Sequence, residues 1–177
     1  IHRLGEAGIK LKPSKCCFFM PEVKFLGHYA NKEGLRPNPQ KLAPLFSAKR
    51  PKTPRDIKSF MGSVIYWTRF LPALQTTAAP LTDLLKKNTK FIWSEECESA
   101  YSEILRQLCV TPILARYDTR RDIAIITDAS LEGCAALMCQ NDDDGKTHLI
   151  NTYSHKWNQA EGNMKIYDLE LLSVILS

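Results

Sequence analysis

Apolar residues recur every three or four positions in two stretches of the chain, and this spacing predicts two amphipathic helices. The first follows Thr53, a predicted N-cap with Pro54 at the first helical position, and runs towards Phe70. The second begins after the predicted N-cap Ser94 and stops at Thr111-Pro112. Shorter helical patterns cover residues 1–10, 39–49, about 78–87 and the segment from 165 onwards.

Strand-like segments, rich in β-branched and aromatic residues, lie towards both ends of the chain. Near the N-terminus they predict two short strands, at residues 16–19 and 23–29, before a turn at 31–34. In the last third they predict a three-stranded meander, in which the apolar run Ile123–Ile126 indicates burial on both faces. The meander strands are predicted at residues 122–127, 134–140 and 147–154, with a further short strand at 113–115.

A small helical subdomain in the middle and a mixed α/β unit at the end make the predicted fold class α+β, with several subdomains. Hydrophobic residues make up 44% and charged residues 24% of the 177 residues, which argues against disorder. No apolar run approaches the roughly 20 residues that a membrane-spanning helix needs, so no membrane is expected among the partners. Both ends look cut, and the sequence is interpreted as an internal piece of a longer protein.

The six cysteines form no Cys-x-x-Cys pair, and no histidine stands at zinc-ligand spacing from them. Reduced, mostly buried thiols are therefore expected rather than a zinc site or disulfides. The acidic loop at residues 142–145 lacks the alternating ligands of a calcium loop and is interpreted as a solvated hairpin tip.

Charge divides the chain into two unlike halves. Residues 1–90 contain 17 Lys and Arg against 5 Asp and Glu, whereas residues 91–177 contain 7 against 14. A basic half suits a polyanionic partner, because neutralising phosphates releases counterions. An acidic half suits either metal binding or solubility, and charge by itself does not choose between these interpretations.

Two carboxylates, Asp128 and Glu170, are candidate metal ligands. Asp128 ends a predicted strand, and Glu170 lies in the middle of an otherwise apolar helix. Taken singly, each has an ordinary interpretation, as a turn-capping Asp and a surface Glu. Taken together, they have the oxygen ligands that Mg²⁺ prefers, and two such ions can hydrolyse a phosphodiester.

Short motifs follow one another in order along nearly the whole chain. They comprise Leu11–Cys16, Phe18-Phe19, Val23–His28, Gly34–Pro39, Pro51–Pro54, Phe60–Gly62, Tyr66, Arg69-Phe70, Pro80–Leu85, Phe91, Trp93, Thr127–Ser130, Gly133, Gln140, Tyr153-Ser154, Glu161, Asn163 and Glu170–Leu172. Their order and spacing resemble the polymerase of gypsy-type long-terminal-repeat retroelements, where reverse transcriptase continues into RNase H.

That resemblance implies four regions. Residues 1–36 correspond to the end of the palm with its primer-grip-like hairpin, and residues 37–87 to a helical thumb. Residues 88–118 correspond to the connection, and residues 119–177 to the N-terminal part of an RNase H-like fold.

The resemblance also implies two groups of nucleic-acid-binding residues. A hairpin that holds the primer 3′ end comprises Phe25, Leu26, Gly27 and His28. Cations that follow the template–primer backbone comprise Lys52, Arg55 and Lys58. These cations stand at a predicted helix N-terminus, whose unpaired N–H groups are a second ligand for phosphate. The alternative interpretation of the three is a solvated basic face.

Asp128 and Glu170 match the first two metal-binding carboxylates of RNase H. The implied cofactor is a pair of Mg²⁺ ions, with Mn²⁺ as the alternative. The parent enzyme would copy RNA into DNA and, as an endonuclease, cut the RNA strand of RNA–DNA hybrids. The other RNase H aspartates and the polymerase Tyr-x-Asp-Asp motif are absent, so this chain alone is expected to catalyse nothing.

The implied partners are an RNA template, a DNA primer, their hybrid, and the rest of the Pol polyprotein with its protease and integrase. The implied location is intracellular, in a cytoplasmic virus-like particle or in the nucleus. Three alternatives stay open: a domesticated or decayed nucleic-acid-binding module without catalysis, a structural subdomain with no nucleic-acid role, and a pararetroviral polymerase.

Overall fold

The computed structural model describes residues 2–177, which form two three-stranded antiparallel sheets with a helical region between them in sequence. The first sheet contains β1 (Glu22–Phe25), β2 (His28–Asn31) and β3 (Leu35–Pro37), and the second contains β4 (Ala124–Ala129), β5 (Gly133–Asn141) and β6 (Thr147–Lys156). The helices are α1 (His2–Glu6), α2 (Pro39–Phe46), α3 (Pro54–Ile65), α4 (Leu74–Thr77), α5 (Ala79–Asp83), α6 (Glu95–Cys109) and α7 (Ile166–Leu176). The predicted α+β class is confirmed.

The first sheet corrects two predicted strands. Residues 16–19 form no strand, and the predicted strand at 23–29 is a hairpin of β1 and β2. Leu26 (φ 44°) and Gly27 (φ 75°) both have left-handed backbone conformations, as a tight two-residue hairpin turn requires. The aromatic composition of residues 16–19 suits a strand, but a strand needs a hydrogen-bonded neighbour, and among the described residues no strand pairs with this segment.

The helical region contains the larger core. Apolar side chains from α2, α3 and α6 pack together with the segment between Trp67 and Leu84. Both predicted N-caps are confirmed, because the side chains of Thr53 and Ser94 accept hydrogen bonds from the first turns of α3 and α6. The helix predicted at about 78–87 is present but shorter, as α5, and an unpredicted short helix, α4, precedes it after Ala73, which adopts φ 57°.

The second sheet has the predicted meander order, but the predicted burial of its first strand is wrong. β4 is an edge strand that pairs with β5 alone among the described residues, and Ile125 and Ile126 are 52% and 53% exposed. An apolar run shows that a strand can be buried, but burial itself depends on what packs against it. α7 packs on β4 and β5 through Leu169, which is buried with Cys134 and Trp157.

None of the described helices is long and apolar enough to cross a membrane. The boundaries predicted for the four regions are not tested by these elements and stay predictions.

Candidate nucleic-acid interface and carboxylate site

The β1–β2 hairpin presents two large apolar side chains to solvent at its tip. Phe25 is 61% and Leu26 is 71% exposed. Exposed apolar groups gain little from the fold itself, so these two side chains are available to contact a ligand. The predicted primer-binding segment is therefore a projecting hairpin in this structure.

Tyr66, just beyond the end of α3, holds the hairpin tip in place. Its hydroxyl donates a hydrogen bond to the carbonyl of Leu26. A Cβ on Gly27 would lie 2.9 Å from the Tyr66 hydroxyl oxygen, so only glycine allows this approach without displacing the ring. The tip is thus attached to the helical region as well as to its own strands.

His28 lies under the turn, in an aromatic box. Its ring stacks on Tyr66 and Phe70, both at 5.4 Å between ring centres, and meets the edge of Trp67 at 5.1 Å. Nδ1 lies 2.8 Å from the Leu26 carbonyl, which can only accept, so the neutral ring carries its proton on Nδ1. Nε2 is buried and has no hydrogen-bond partner among the described residues.

Burial in this box lowers the pKa of His28, and the positive charge of Arg69 lowers it further, although the hydrogen bond to the Leu26 carbonyl acts the other way. His28 is only 9% exposed. Of the four predicted hairpin residues, Phe25 and Leu26 are therefore the two whose side chains are open to solvent. Gly27 and His28 are placed to shape the turn.

The start of α3 carries the three predicted cations, Lys52, Arg55 and Lys58, and all are exposed. At this helix start, where the sequence predicted N–H groups free to bind phosphate, three N–H groups are already bonded within the chain. The Asp56 carboxylate accepts the N–H groups of Lys52 and Thr53 at 3.0 and 2.9 Å, and the Thr53 hydroxyl accepts that of Asp56. The hydrogen bonds from Lys52 and Thr53 lower the pKa of Asp56, so its charge persists beside the cations.

A groove of about 940 Å³ runs between α2 and α3, from the hairpin tip to the segment at residues 48–52. Gly27 and Tyr66 line one end, and Lys52 lines the other. Arg55 and Lys58 are not among the lining residues, so the structure places them on the outer flank of α3.

Three further cations line the groove that sequence reasoning did not select: Lys41, Lys49 and Arg50. Lys49 and Arg50 directly precede the Pro51–Pro54 motif, and that adjacency was the available signal. Arg50 is partly engaged, with its guanidinium 3.4 Å from Glu98 and stacked over Trp93 at 5.6 Å. Nothing local in the sequence indicated that Lys41 would share a groove with residues ten positions away.

The two predicted carboxylates lie on elements that pack together. Asp128 is near the end of β4, and Glu170 is in α7, which packs on β4 and β5. Their immediate neighbours, Ala129 and Leu169, belong to one apolar cluster. Both carboxylates are exposed, and no hydrogen bond or ion pair within residues 2–177 engages either of them.

Exposed, unpaired carboxylate oxygens fit the hard ligands that Mg²⁺ prefers. Two carboxylates do not by themselves make a metal site, and among the described residues no three His, Cys, Asp or Glu side chains group closely enough to hold a metal ion. The donor chemistry is thus compatible with Mg²⁺, and the number of donors is smaller than that of a complete two-ion site.

Comparison with known proteins gives similarity in both sequence and structure. A family model described as an RNase H-like domain found in reverse transcriptase matches residues 93–177. The Tf2-3 and Tf2-4 transposon polyproteins of Schizosaccharomyces pombe are 30% identical over 177 residues, which is 100% of this chain and 13% of each polyprotein. The chain therefore spans about an eighth of the length of these curated relatives.

Two solved structures share the fold. The foamy viral protease-reverse transcriptase in complex with RNA/DNA hybrid matches with a TM-score of 0.74 and 19% identity, over 92% of this chain and 22% of that one. A foamy viral protease-reverse transcriptase in complex with dsDNA matches with a TM-score of 0.75 and 19% identity, over 89% and 33%. The resemblance to the reverse transcriptase and RNase H region of long-terminal-repeat retrotransposon polyproteins is therefore confirmed in sequence and in fold.

Proposed function

We propose that this chain is part of an RNA-directed DNA polymerase with RNase H activity, in which it holds the template–primer and contributes to the RNase H metal site. The observation that carries the proposal is the position of the exposed hairpin tip at one end of a groove whose other end is rimmed by Lys49, Arg50 and Lys52. Apolar and aromatic groups pack against sugars and bases, and cations neutralise phosphates.

The residues divide the work in this proposal. Phe25 and Leu26 contact the primer end, and Tyr66 and His28 hold the turn that carries them. The groove-lining cations contact the nucleic-acid backbone. The foamy viral neighbours were solved in complex with RNA/DNA hybrid and with dsDNA, which supports a duplex ligand here as well.

In the RNase H-like part, Asp128 and Glu170 would hold Mg²⁺ through carboxylate oxygens. When bound, two such ions activate water and stabilise the leaving oxygen of a phosphodiester. Since a two-ion site needs more ligands than these two carboxylates, we expect the chain by itself to cleave no hybrid. Mg²⁺-dependent cleavage by the 177-residue chain would contradict this.

The test uses the full parent enzyme with Asp128→Asn. We expect RNA cleavage to fall by about 100-fold or more, because a charged metal ligand is lost, while DNA synthesis is unchanged. Asp122→Asn, an exposed aspartate that precedes the same strand, is the matched control and should retain both activities. Loss of both activities in Asp128→Asn, or of neither, would count against the assignment.

A non-enzymatic binding module is the alternative. It predicts that the wild-type parent binds hybrid through the groove and cuts none at any Mg²⁺ concentration.

A further inference from the structure

Three side chains on one face of β6 bind the helical region at three successive points. The Thr152 hydroxyl donates to the Thr68 carbonyl at 3.1 Å, and the Ser154 hydroxyl accepts from the Gln75 N–H at 3.1 Å. Lys156, which occupies the third point, lies on the same face of the strand because side chains alternate with a period of two. We call Thr152, Ser154 and Lys156 the docking strip.

Lys156 completes the strip with an ion pair. Its ammonium lies 2.7 Å from an Asp83 oxygen, and Lys86 lies 3.0 Å from the same atom. Partial burial acts to raise the pKa of Asp83, but the hydrogen bonds from Lys156 and Lys86 outweigh it and leave the pKa below its usual value. Asp83 therefore stays charged at neutral pH.

Ser154 supplies the side-chain hydrogen-bond acceptor that the first turn of α4 lacks. The residue that precedes this helix, Ala73, has no side-chain acceptor, so no N-cap side chain of its own binds the first turn. The Ser154 hydroxyl accepts the Gln75 N–H instead, as an N-cap would, although it is 79 positions away in sequence. Ser154 is buried, so without it the N–H would lose its partner.

The second sheet and α4 also lie too close together at Gly133 to admit a larger side chain there. Gly133, which pairs with Lys156 across the sheet, is buried against α4. A Cβ at this position would lie 2.6 Å from the Thr76 methyl group and 2.3 Å from the His155 carbonyl. The docking strip and Gly133 therefore define one register of the sheet on the helices, because hydrogen bonds tolerate only narrow ranges of distance and angle.

This docking determines where Asp128 lies. Asp128 pairs with Ala135, and Ala135 pairs with Ser154, so Asp128 and Ser154 share one cross-strand row. Neighbouring strands are about 4.8 Å apart, which separates the two backbones by roughly 10 Å. A shift of β6 on the helices would therefore shift Asp128 relative to the groove between α2 and α3.

We propose that the docking strip is a positioning element, which holds the RNase H-like sheet at one fixed place on the helices that carry the nucleic-acid groove. The proposal rests on the proposed function and adds to it that the distance from primer end to RNA cut is determined by Thr152, Ser154 and Lys156. These are positioning residues and touch no substrate.

The test is the position of RNA cuts relative to the primer 3′ end, made by the full parent enzyme on an end-labelled hybrid. In the double variant Ser154→Ala with Lys156→Met, we expect DNA synthesis to persist while the cuts spread over neighbouring positions. Ser154→Thr keeps the hydroxyl and should restore the wild-type pattern when Lys156 is intact. Lys146→Met, an exposed lysine beside the other end of β6, is the control and should change nothing.

An unchanged cut pattern in the double variant would overturn the proposal. Hydrogen exchange provides a readout that does not need activity: in Ser154→Ala, the Gln75 amide should exchange about tenfold faster, the factor that corresponds to about 1.4 kcal/mol. If the wild-type parent makes no DNA and cuts no hybrid, the proposed function fails, and unchanged Gln75 exchange would then reject the docking as well. Faster exchange in that case would retain the docking without the enzymatic role.

Discussion

At the scale of single residues, the hairpin tip depends on the absence of a side chain at Gly27. This residue combines a left-handed φ of 75° with a Tyr66 hydroxyl oxygen 2.9 Å from where a Cβ would stand. A side chain at this position would therefore meet both backbone strain and a steric clash, and neither depends on a ligand. They bear on stability as well as on binding, because the tip is attached to the core through Tyr66 and His28.

Gly27→Ala should lower the free energy of unfolding by about 1–2 kcal/mol, because Ala is strained at positive φ and its methyl group crowds Tyr66. Urea denaturation measures it. Gly62→Ala is the matched control: it lies inside α3, has open space around a Cβ and should stabilise if anything. Equal losses in the two variants would show that the special geometry of Gly27 is not the cause.

His28 should make stability depend on pH. Its pKa is lowered in the folded chain by burial, so the unfolded chain binds a proton first as pH falls. The contribution of neutral His28 is complete above the unfolded pKa, about 6.5, and is lost as pH falls from there towards the folded pKa. We expect the free energy of unfolding to decrease from pH 7.5 to pH 5.

The measurement is urea denaturation of wild type and His28→Phe at both pH values. Phe fills the aromatic box and cannot titrate, so the decrease should be smaller in the variant. His2→Gln, at an exposed position, should follow the wild type. A decrease of the same size in wild type and His28→Phe would rule out His28 as its source.

At the scale of elements, hydrogen bonds between near neighbours were predictable. The Thr53 and Ser94 caps, the Pro39 and Pro54 helix starts and the order of the last three strands follow from residues a few positions apart. The β1–β2 turn was missed from the pattern, since Leu26 in a left-handed conformation carries no recognisable turn chemistry, yet the resemblance to a primer-binding hairpin indicated it.

Thr53→Ala should lower the free energy of unfolding by about 1 kcal/mol, because the Asp56 N–H loses its side-chain acceptor at the start of α3. Thr53→Ser keeps the hydroxyl and is the matched control. Thermal or urea denaturation measures the free energy of unfolding of both variants. A loss as large in Thr53→Ser would mean that the methyl group, and not the cap, is responsible.

At the scale of the whole molecule, the structure shows where the basic and acidic residues lie. The basic half contributes Lys41, Lys49, Arg50 and Lys52 to one groove, next to the hairpin tip. The acidic half contributes the exposed Asp128 and Glu170 to packed elements of the second sheet. Charge counts alone could not show these positions, because the groove and the second sheet are built from segments that are distant in sequence.

Replacing the groove-lining Lys41, Lys49 and Lys52 together by Gln should weaken binding of an RNA–DNA hybrid and flatten its salt dependence. Each lost phosphate contact reduces the slope of log K against log salt by about one. Fluorescence anisotropy at several salt concentrations measures it. Lys146→Gln, in the acidic half, is the control, and an unchanged slope in the triple variant would exclude these cations from the interface.

The sequence by itself determined the α+β class, the caps and the order of strands, together with the resemblance to retrotransposon polyproteins. These depend on periodicity, local hydrogen bonds and short motifs, which are all encoded within a few residues. Tertiary structure decided that β4 is an exposed edge, that His28 is buried under the hairpin, and that Ser154 caps a helix 79 positions away. Burial and docking depend on which distant segments come into contact, and the local sequence does not encode those contacts.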